Sequence, residues 1–192
     1  MTEKEKSKRG LLYNANFDEE LIKERAFCKD LCHQYNEIKY SNVEKRNEVI
    51  KKIIKNHKGN VLIEQPFWCD YGYNIELGEN FYSNHHLVIL DAAEVKFGNN
   101  VFIGPNCGFY TAGHPVNVNQ RNEGLEYAYP ISVGNNVWIG GSVVVLPGVF
   151  IGDNSIIGAG SVVTKDIPEN MIAVGNPCRV IKEIPKEKEN NQ

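Results

Sequence analysis

His114 is the residue whose type and position best suit acid–base chemistry in this sequence. It lies near the start of a polar segment, residues 111–130, and Pro115 after it favours an extended backbone at His114. A neutral imidazole can take the proton of a hydroxyl nucleophile and later return it to a leaving group. A loop histidine can equally be held by hydrogen bonds for structural reasons alone, so this residue by itself leaves both interpretations open.

The remaining histidines and the cysteines predict no metal centre. His85 and His86 are adjacent, so on a strand they point to opposite faces and at most one could join His114 at a metal. The cysteines are odd in number and widely spread, and they form neither a disulfide framework nor a paired zinc signature. They are Cys28, Cys32, Cys69, Cys107 and Cys178. This pattern favours reduced thiols in a cytoplasmic protein.

Chain length and net charge limit the kinds of protein and of binding partner that the sequence allows. A chain of 192 residues suits one domain with an appendage. The net charge of −3 provides no basic field for a nucleic-acid partner. The charged N-terminus is not followed by the apolar segment of a signal peptide, and no stretch approaches the roughly 18–20 apolar residues of a membrane helix. We therefore expect neither a nucleic-acid nor a membrane partner.

A strict six-residue period dominates the second half of the chain and must position His114. Six residues advance an α-helix by roughly 600°, which would scatter the repeated side chains over three faces. In strands, an even period places every repeated side chain on the same face. The pattern therefore predicts a parallel β-helix. The two apolar series are Val133, Ile139, Val145, Ile151, Ile157 and Val163, and Val137, Val143, Val149, Ser155, Ser161 and Ile167.

The period is interrupted at two places. Between Leu87 and Val95 the spacing is eight residues instead of six, so the segment around Asp91 bulges by two. Between Phe109 and Val133 the period disappears altogether. The intervening residues 111–130 are too polar for a coil and are predicted to form one long extended loop.

The first 59 residues are predicted to form a helical N-terminal cap. Apolar residues recur at helical spacing from Leu21 to Tyr35, with Asn16 as the predicted N-cap. A second helix is predicted from Ser41 to His57, beginning with a Ser41–Glu44 capping box. Residues 60–184 are predicted to form the β-helix domain, and residues 185–192 a disordered polar tail.

Several segments resemble the maltose/galactoside O-acetyltransferases. They are WCDYGYNIELGENFYSN, YTAGHPV, VGNNVWIGG, PGVFIGDNSIIGAGSVVTKDIP and GNPCRVIKEI. The resemblance spans roughly residues 10 to 184. It implies a left-handed β-helix, a homotrimer with active sites between subunits, and acetyl transfer from acetyl-CoA to a hydroxyl of a small sugar such as maltose, glucose or a galactoside. It implies no catalytic metal.

The same resemblance implies the catalytic roles. His114 matches the general base of the family, and no covalent acyl-enzyme is required. Gly141 matches the position whose backbone N–H stabilises the oxyanion. The family more often has serine there, and glycine keeps the N–H. Trp138 and Tyr127 are the aromatic residues expected at the pocket.

The acceptor site carries both matches and departures. Asn84 is a direct match, and Asp70 resembles the maltose-type members. Tyr82 and Asp91 match or neighbour acceptor positions, whereas Asn14 stands near a position where the family has aspartate. Ala92, beside Asp91, also stands where galactoside-type members often have aspartate. Asp and Asn are in any case favoured at turns.

The donor positions implied by the resemblance lie near the C-terminal end of the repeats. Lysine and arginine there would meet the phosphates of coenzyme A, although Lys182 reads equally well as a solvated lysine. The residues are Ala159, Thr164, Lys165, Arg179 and Lys182.

Two other functions remain open on the sequence. One is a metal-dependent, carbonic-anhydrase-like β-helix, which would need converging histidines. The other is a non-catalytic β-helix that binds sugars.

Overall fold

The protein is described by a computed structural model in which residues 1–185 are placed. Residues 186–192, most of the predicted polar tail, lie outside the described residues. The helices are α1 Glu3–Lys8, α2 Glu19–Glu37, α3 Val43–Ile53 and α4 Val118–Asn122. None of the helices within residues 1–185 is both long and apolar enough to cross a membrane.

Short strands make up most of the remaining chain. They are β1 Tyr13–Asn14, β2 Asn56–His57, β3 Val61–Ile63, β4 Phe67–Cys69, β5 Ile75–Leu77, β6 Phe81–Ser83, β7 Leu87–Leu90, β8 Val95–Phe97, β9 Phe102–Ile103, β10 Gly108–Tyr110, β11 Ala112–Gly113, β12 Leu125–Ala128, β13 Ile131–Val133, β14 Trp138–Ile139, β15 Val144–Val145, β16 Phe150–Ile151, β17 Ile156–Ile157, β18 Val162–Val163, β19 Met171–Val174 and β20 Arg179–Glu183.

The strands wind into a solenoid with three faces, which confirms the predicted parallel β-helix. Face 1 contains β2, β5, β8, β13 and β16. Face 2 contains β3, β6, β9, β14, β17 and β19, with β20 antiparallel at its end. Face 3 contains β4, β7, β10, β15 and β18. Since the chain passes from face 1 to face 2 to face 3, we call these three turns corner A (face 1 to 2), corner B (face 2 to 3) and corner C (face 3 to 1).

The six-residue period places its repeated side chains inside the solenoid. Ile139, Val145 and Ile157 are fully buried and belong to one continuous core. Two rings, Phe81 and Phe109, meet Phe97 edge-on with centroids 5.1 and 5.0 Å apart. Because each strand is paired with the same strand of the next coil, the backbone groups are satisfied along the solenoid axis.

Helix α2 covers the open end of the solenoid at the first coil. Its buried residues Cys28, Cys32 and Tyr35 join the same core as the inward side chains of β4. The Tyr35 hydroxyl donates to the Ile63 carbonyl at 2.5 Å, which ties the helix to face 2. The N-terminal segment is thus a lid on the core.

Both predicted helix boundaries need correction. Helix α2 begins at Glu19 with Asp18 as its N-cap, because the Asp18 carboxylate accepts from the Leu21 amide. The prediction of Asn16 was therefore wrong. Helix α3 has Asn42 as its N-cap and ends at Ile53, since Ile54 is already extended. His57 lies instead on β2, where it pairs with Leu77 of face 1.

Residues 111–130 leave the solenoid at corner C, where the period disappears. The segment contains β11, the short helix α4 and β12. Strand β12 lies between β11 and β1 in a small antiparallel sheet. The predicted long loop is therefore a folded excursion, anchored to the N-terminal segment through β1.

Candidate active site

His114 lies on the excursion directly after β11 and is exposed in the single chain. Its Nδ1 is 2.9 Å from the carbonyl oxygen of Leu125. A carbonyl can only accept, so Nδ1 carries the proton and Nε2 of the neutral ring is left with its lone pair. This is the tautomer that a general base needs.

The Leu125 carbonyl is itself held by the small antiparallel sheet. Asn14 on β1 is paired with Leu125 on β12, and Gly113 on β11 is paired with Tyr127. The Asn14 side-chain oxygen accepts from the amides of Asn16 and Phe17 at 3.2 and 3.0 Å. Asn14 thus supports the segment that orients His114, and its oxygen is occupied by its own turn.

Tyr127 packs next to the same segment. A Cβ at Gly113 would lie 2.4 Å from the Tyr127 hydroxyl oxygen, so a larger residue at this position would displace the Tyr127 ring. The Tyr127 ring stacks on Tyr129 with centroids 5.0 Å apart. Tyr127 therefore contributes a rigid aromatic surface beside the backbone of His114.

Asp70 lies at corner C just after β4. Its carboxylate is half-buried and 3.5 Å from Nζ of Lys29 on α2. It shares this corner with the start of the excursion, because β4 and β10 belong to the same face. Asp70 and His114 are therefore side chains of one corner, two coils apart.

The structure gives Asp91 a structural place that corrects the predicted acceptor contact. Asp91 is fully buried, and its carboxylate accepts from the amides of Asp70, Tyr71 and Gly72 at 2.9, 2.9 and 2.7 Å. Burial raises the pKa of Asp91 to about 7, against the opposing effect of the amide hydrogen bonds. A carboxylate enclosed in this way is shielded from a ligand in solution. It folds the turn that carries Asp70.

Asn84 and Gly141 lie at corner B, after β6 and β14 of face 2. They are two coils apart along this corner, and in the coil between them Gly104 is in register with Asn84 and with Gly140, the residue before Gly141. A Cβ at Gly104 would lie 2.5 Å from the Gly141 nitrogen. Nothing within residues 1–185 accepts a hydrogen bond from the Gly141 amide, whereas its carbonyl accepts from Gly160. The Gly141 N–H is thus a backbone donor without a partner among residues 1–185.

Tyr82 and Trp138 project outward from face 2. Tyr82 is partly buried, and Trp138 is 56% exposed. Phe102 lies between them in the middle coil, so the three side chains form an outward row along face 2, next to corner B.

The five predicted donor residues are all exposed at the C-terminal end of the solenoid. Ala159 lies at corner B, one coil beyond Gly141. Thr164 and Lys165 follow β18 at corner C, and Arg179 and Lys182 lie on β20. Within residues 1–185, none of the three cations forms an ion pair with an acidic side chain.

The predicted residues therefore form two groups on opposite edges of face 3. Asn84 and Gly141 precede strands of this face at corner B, whereas Asp70 and His114 follow strands of the face at corner C. A single chain brings together the members of each group but separates the base from the oxyanion donor by the width of the face.

Sequence reasoning missed two backbone features of the site. The Leu125 carbonyl, which selects the tautomer of His114, leaves no signal because any residue type supplies a carbonyl. The close approach of Gly104 to the Gly141 nitrogen is a packing constraint between coils, and the repeated Ile103-Gly104 pattern was its only trace.

The histidines do not converge. His85 Nδ1 is 2.6 Å from the carbonyl of Gln65, and His114 is held by Leu125. Within residues 1–185, the one group of potential metal ligands close enough to share an ion consists of Cys28, Cys32 and Cys69. The geometry therefore gives no support to a carbonic-anhydrase-like arrangement.

Two families of sequence motifs match this chain. Residues 6–58 match the maltose acetyltransferase hexapeptide capping motif, which corresponds to the helical lid and the start of the solenoid. Residues 130–165 match the bacterial transferase hexapeptide with six repeats, which corresponds to the regular coils after the excursion.

Relatives of known name match almost the whole chain. Galactoside O-acetyltransferase of Escherichia coli K12 is 49% identical over 166 residues, covering 86% of this chain and 82% of that protein. The crystal structure of a maltose O-acetyltransferase from Clostridium difficile 630 superposes with a TM-score of 0.94 at 50% identity, covering 97% of this chain and 99% of that one. A galactoside acetyltransferase in complex with coenzyme A gives a TM-score of 0.93 at 46% identity, covering 96% and 92%.

Proposed function

Because the chain belongs to the hexapeptide-repeat family of maltose and galactoside O-acetyltransferases, we propose that it moves an acetyl group from acetyl-CoA to a hydroxyl of a small sugar, with His114 as the general base. The observation that carries the role of His114 is the hydrogen bond from Nδ1 to the Leu125 carbonyl. It fixes the neutral tautomer whose Nε2 can accept a proton.

The chemistry is a direct transfer. Nε2 of His114 takes the proton of the sugar hydroxyl as its oxygen attacks the thioester carbonyl, so that a C–O bond forms and the negative charge moves to the carbonyl oxygen. The Gly141 N–H stabilises this oxyanion. As the C–S bond breaks, His114 returns the proton to the departing sulfur, and the products are the sugar ester and free coenzyme A.

The acceptor is a small sugar of the maltose, glucose or galactoside class. The Asn84 side-chain amide can donate to a hydroxyl at corner B while its oxygen accepts from the His85 amide at 2.7 Å, and Asp70 can accept from a hydroxyl at corner C. Asp91 is buried, and the side-chain oxygen of Asn14 is already hydrogen-bonded. The acceptor therefore has fewer carboxylates to contact than in a galactoside-type site, which would have an aspartate at position 92. Acceptor choice therefore rests mainly on Asp70, Tyr82 and Asn84.

The active unit is a homotrimer whose sites lie between subunits. The outward side chains of face 1 are largely polar, with Lys96 and Glu76 paired at 3.1 Å. Those of face 2 and face 3 are mostly apolar, as shown by exposed Phe102 on face 2 and exposed Trp68 on face 3. A closed ring needs two different contact faces on each subunit, whereas a two-fold dimer needs one self-complementary face. Two adjacent apolar faces and one polar face suit a ring.

The same assembly would complete the site. Packing face 2 of one subunit against face 3 of the next brings corner B of one chain toward corner C of its neighbour. His114 of one subunit could then approach Gly141 and Asn84 of another, which a single chain keeps on opposite edges of face 3. A concentration-dependent loss of activity on dilution would accompany dissociation of such a trimer.

The test combines an acceptor panel with a measurement of mass. Purified protein is incubated with acetyl-CoA and maltose, glucose, isopropyl-thiogalactoside or no acceptor, and free thiol release is measured. We expect acceptor-dependent thiol release and sedimentation as a trimer. Thiol release that is unaffected by every sugar would contradict the proposed acceptor class, and a fully active monomer would contradict the site between subunits.

A further inference from the structure

Three cysteine sulfurs meet in the core where the helical lid covers the first coil. Cys28 and Cys32 are one turn apart on the inner side of α2, and Cys69 is the last, inward-facing residue of β4. The Sγ of Cys69 is 3.5 Å from that of Cys28 and 3.8 Å from that of Cys32. All three side chains are at most 2% exposed.

These separations match the spacing that one bound ion would impose. Metal–thiolate bonds of about 2.3 Å place three sulfurs in a trigonal plane about 4 Å apart. The three sulfur atoms already lie within 4.8 Å of one another, so an ion at their centre would require only small side-chain movements. Cysteines that merely fill space as small apolar residues have no need to converge from two elements on one point.

The number and chemistry of the donors select the kind of ion. Three sulfurs and no oxygen or nitrogen ligand form the group within residues 1–185. Structural Zn²⁺ takes four ligands, whereas soft thiolate donors suit Cu(I). The buried carboxylate of Asp91 is held by three amides and does not belong to this group.

A groove borders the cluster on the side of Cys28. It has a volume of about 200 Å³, runs between α2, α3 and the first coil, and includes Cys28 in its wall. Its other walls include Phe27, Leu31, Tyr71 and Tyr73. Since Cys28 is 2% exposed, an ion entering from the groove would need a small opening of this wall.

From these observations we propose that Cys28, Cys32 and Cys69 bind one Cu(I) ion that fastens the helical lid to the first coil. The ion forms three Cu–S bonds, any thiol proton that is lost leaves to water, and no atom changes oxidation state. The site lies beside the turn from Asp70 to Gly72 and is separate from the transfer chemistry.

The test titrates reduced full-length protein with Cu(I) under anaerobic conditions against a chromophoric Cu(I) chelator. We expect one Cu(I) per chain, a rise in Tm on loading, and three sulfur neighbours at about 2.3 Å in the X-ray absorption spectrum of the loaded wild-type protein. Zn²⁺ is the comparison ion and should bind less tightly, because it lacks a fourth ligand. Failure to take copper from the chelator, fewer than three sulfur neighbours, or tighter binding of Zn²⁺ would overturn the proposal.

Matched variants locate the ion. Cys32→Ala should lose stoichiometric Cu(I) binding, whereas Cys107→Ala should retain it, since Cys107 is equally buried but contacts the Gly140 carbonyl instead of another cysteine. Circular dichroism and melting without copper check that both variants are folded. Equal copper binding by Cys32→Ala and wild type would place the ion elsewhere, and the X-ray absorption spectrum of the wild type decides the ligand set even if Cys32→Ala fails to fold.

Discussion

Corner A and corner B are built from the same backbone turn but carry different side chains. At corner A the left-handed residue is asparagine in five successive coils, with φ between 55° and 60°. Their side chains form a continuous amide ladder with N–O distances of 3.0, 3.0, 3.0 and 2.9 Å. The five residues are Asn80, Asn100, Asn136, Asn154 and Asn170.

At corner B the equivalent left-handed positions are occupied by His86, Asn106, Ser142 and Gly160. No side-chain ladder links them within residues 1–185. Serine, unlike asparagine and glycine, rarely adopts the left-handed backbone. Repetition at corner A follows from each side chain binding its own copy in the next coil. The side chains at corner B differ from coil to coil and do not bind one another. Next to Asn84 and Gly141, this leaves polar groups for contacts with a ligand.

Corner C differs from both, because a buried acid and the excursion replace the repeat. Asp91 holds the turn that carries Asp70, and the excursion carries His114. The comparison thus separates a corner that supplies stability from two that supply the site, and each of the following experiments tests that separation.

The largest effect is expected from His114→Ala. Removal of a general base should lower kcat by about 10²–10⁴-fold while Tm changes little, because the exposed ring makes one hydrogen bond to Leu125. The measurement is acetyl-CoA turnover with a saturating sugar. His33→Ala, which removes an exposed histidine from α2, is the control and should keep full activity. If His114→Ala turned over at a near-normal rate, corner C would lose its catalytic role.

A pH-dependent effect is expected at Asp91. Its pKa is raised to about 7 in the folded protein by burial, against about 3.9 for an unperturbed aspartate. Between these values the unfolded state loses the proton first, so the contribution of Asp91 to stability is fully present below pH of about 4 and is lost as pH rises through about 7. The slope is about 1.4 kcal/mol per pH unit within this window.

The measurement is urea unfolding from pH 4 to pH 8, at one fixed protein concentration, for wild type and Asp91→Asn. The variant cannot titrate at this position, and the other acids are common to both proteins. The stability of wild type relative to the variant should therefore fall across the window. Parallel curves for the two proteins would show that the Asp91 carboxylate does not change its protonation there. The asparagine ladder of corner A contains no titratable group, so it should not make stability depend on pH in this range.

A smaller loss of stability is expected at corner A. Asn136→Ala removes the hydrogen bonds to Asn100 and Asn154 and places a less suited residue at φ 57°. We expect a loss of about 1–3 kcal/mol in the free energy of unfolding, with kcat and KM unchanged. Asn136→Gly keeps the backbone conformation available and removes only the ladder bonds, so it should lose less. A drop in kcat without a loss of stability would contradict the purely structural role of corner A.

The repeats made most of the solenoid predictable, because a six-residue period has one structural solution for buried side chains. Helix boundaries were less predictable: the N-caps are Asp18 and Asn42, whose side chains accept from the amides of Leu21 and Lys45, and the sequence offered Asn16 and Ser41 as alternatives of similar chemistry. At the site, only the resemblance pointed to His114 and Gly141, and their roles stay predictions. Asp91 was misplaced because a turn-holding acid and a ligand-binding acid look alike in sequence. They differ only in burial, which here depends on contacts with a segment about 20 residues away.

The smallest effect is expected at the donor end, from Arg179→Ala. Arg179 is exposed on β20, and its guanidinium donates to the carbonyl of Cys178 at 2.7 Å, leaving other N–H groups toward solvent. If it meets a phosphate of coenzyme A, the contact lies far from the thioester and is the same in the ground and transition states. Its removal should raise KM for acetyl-CoA by about three- to tenfold and leave kcat and the sugar KM unchanged.

Salt and a truncated donor sharpen this last prediction. Screening weakens exposed phosphate pairing, so the difference between wild type and Arg179→Ala should shrink at high ionic strength. A donor that lacks the nucleotide should be used equally by both proteins, since it has no phosphate for Arg179 to contact. Lys96→Ala, which removes a cation from the polar face 1, is the matched control and should leave every kinetic constant in place. A fall in kcat with an unchanged donor KM would instead place Arg179 near the reacting thioester and remove coenzyme A from the C-terminal coils.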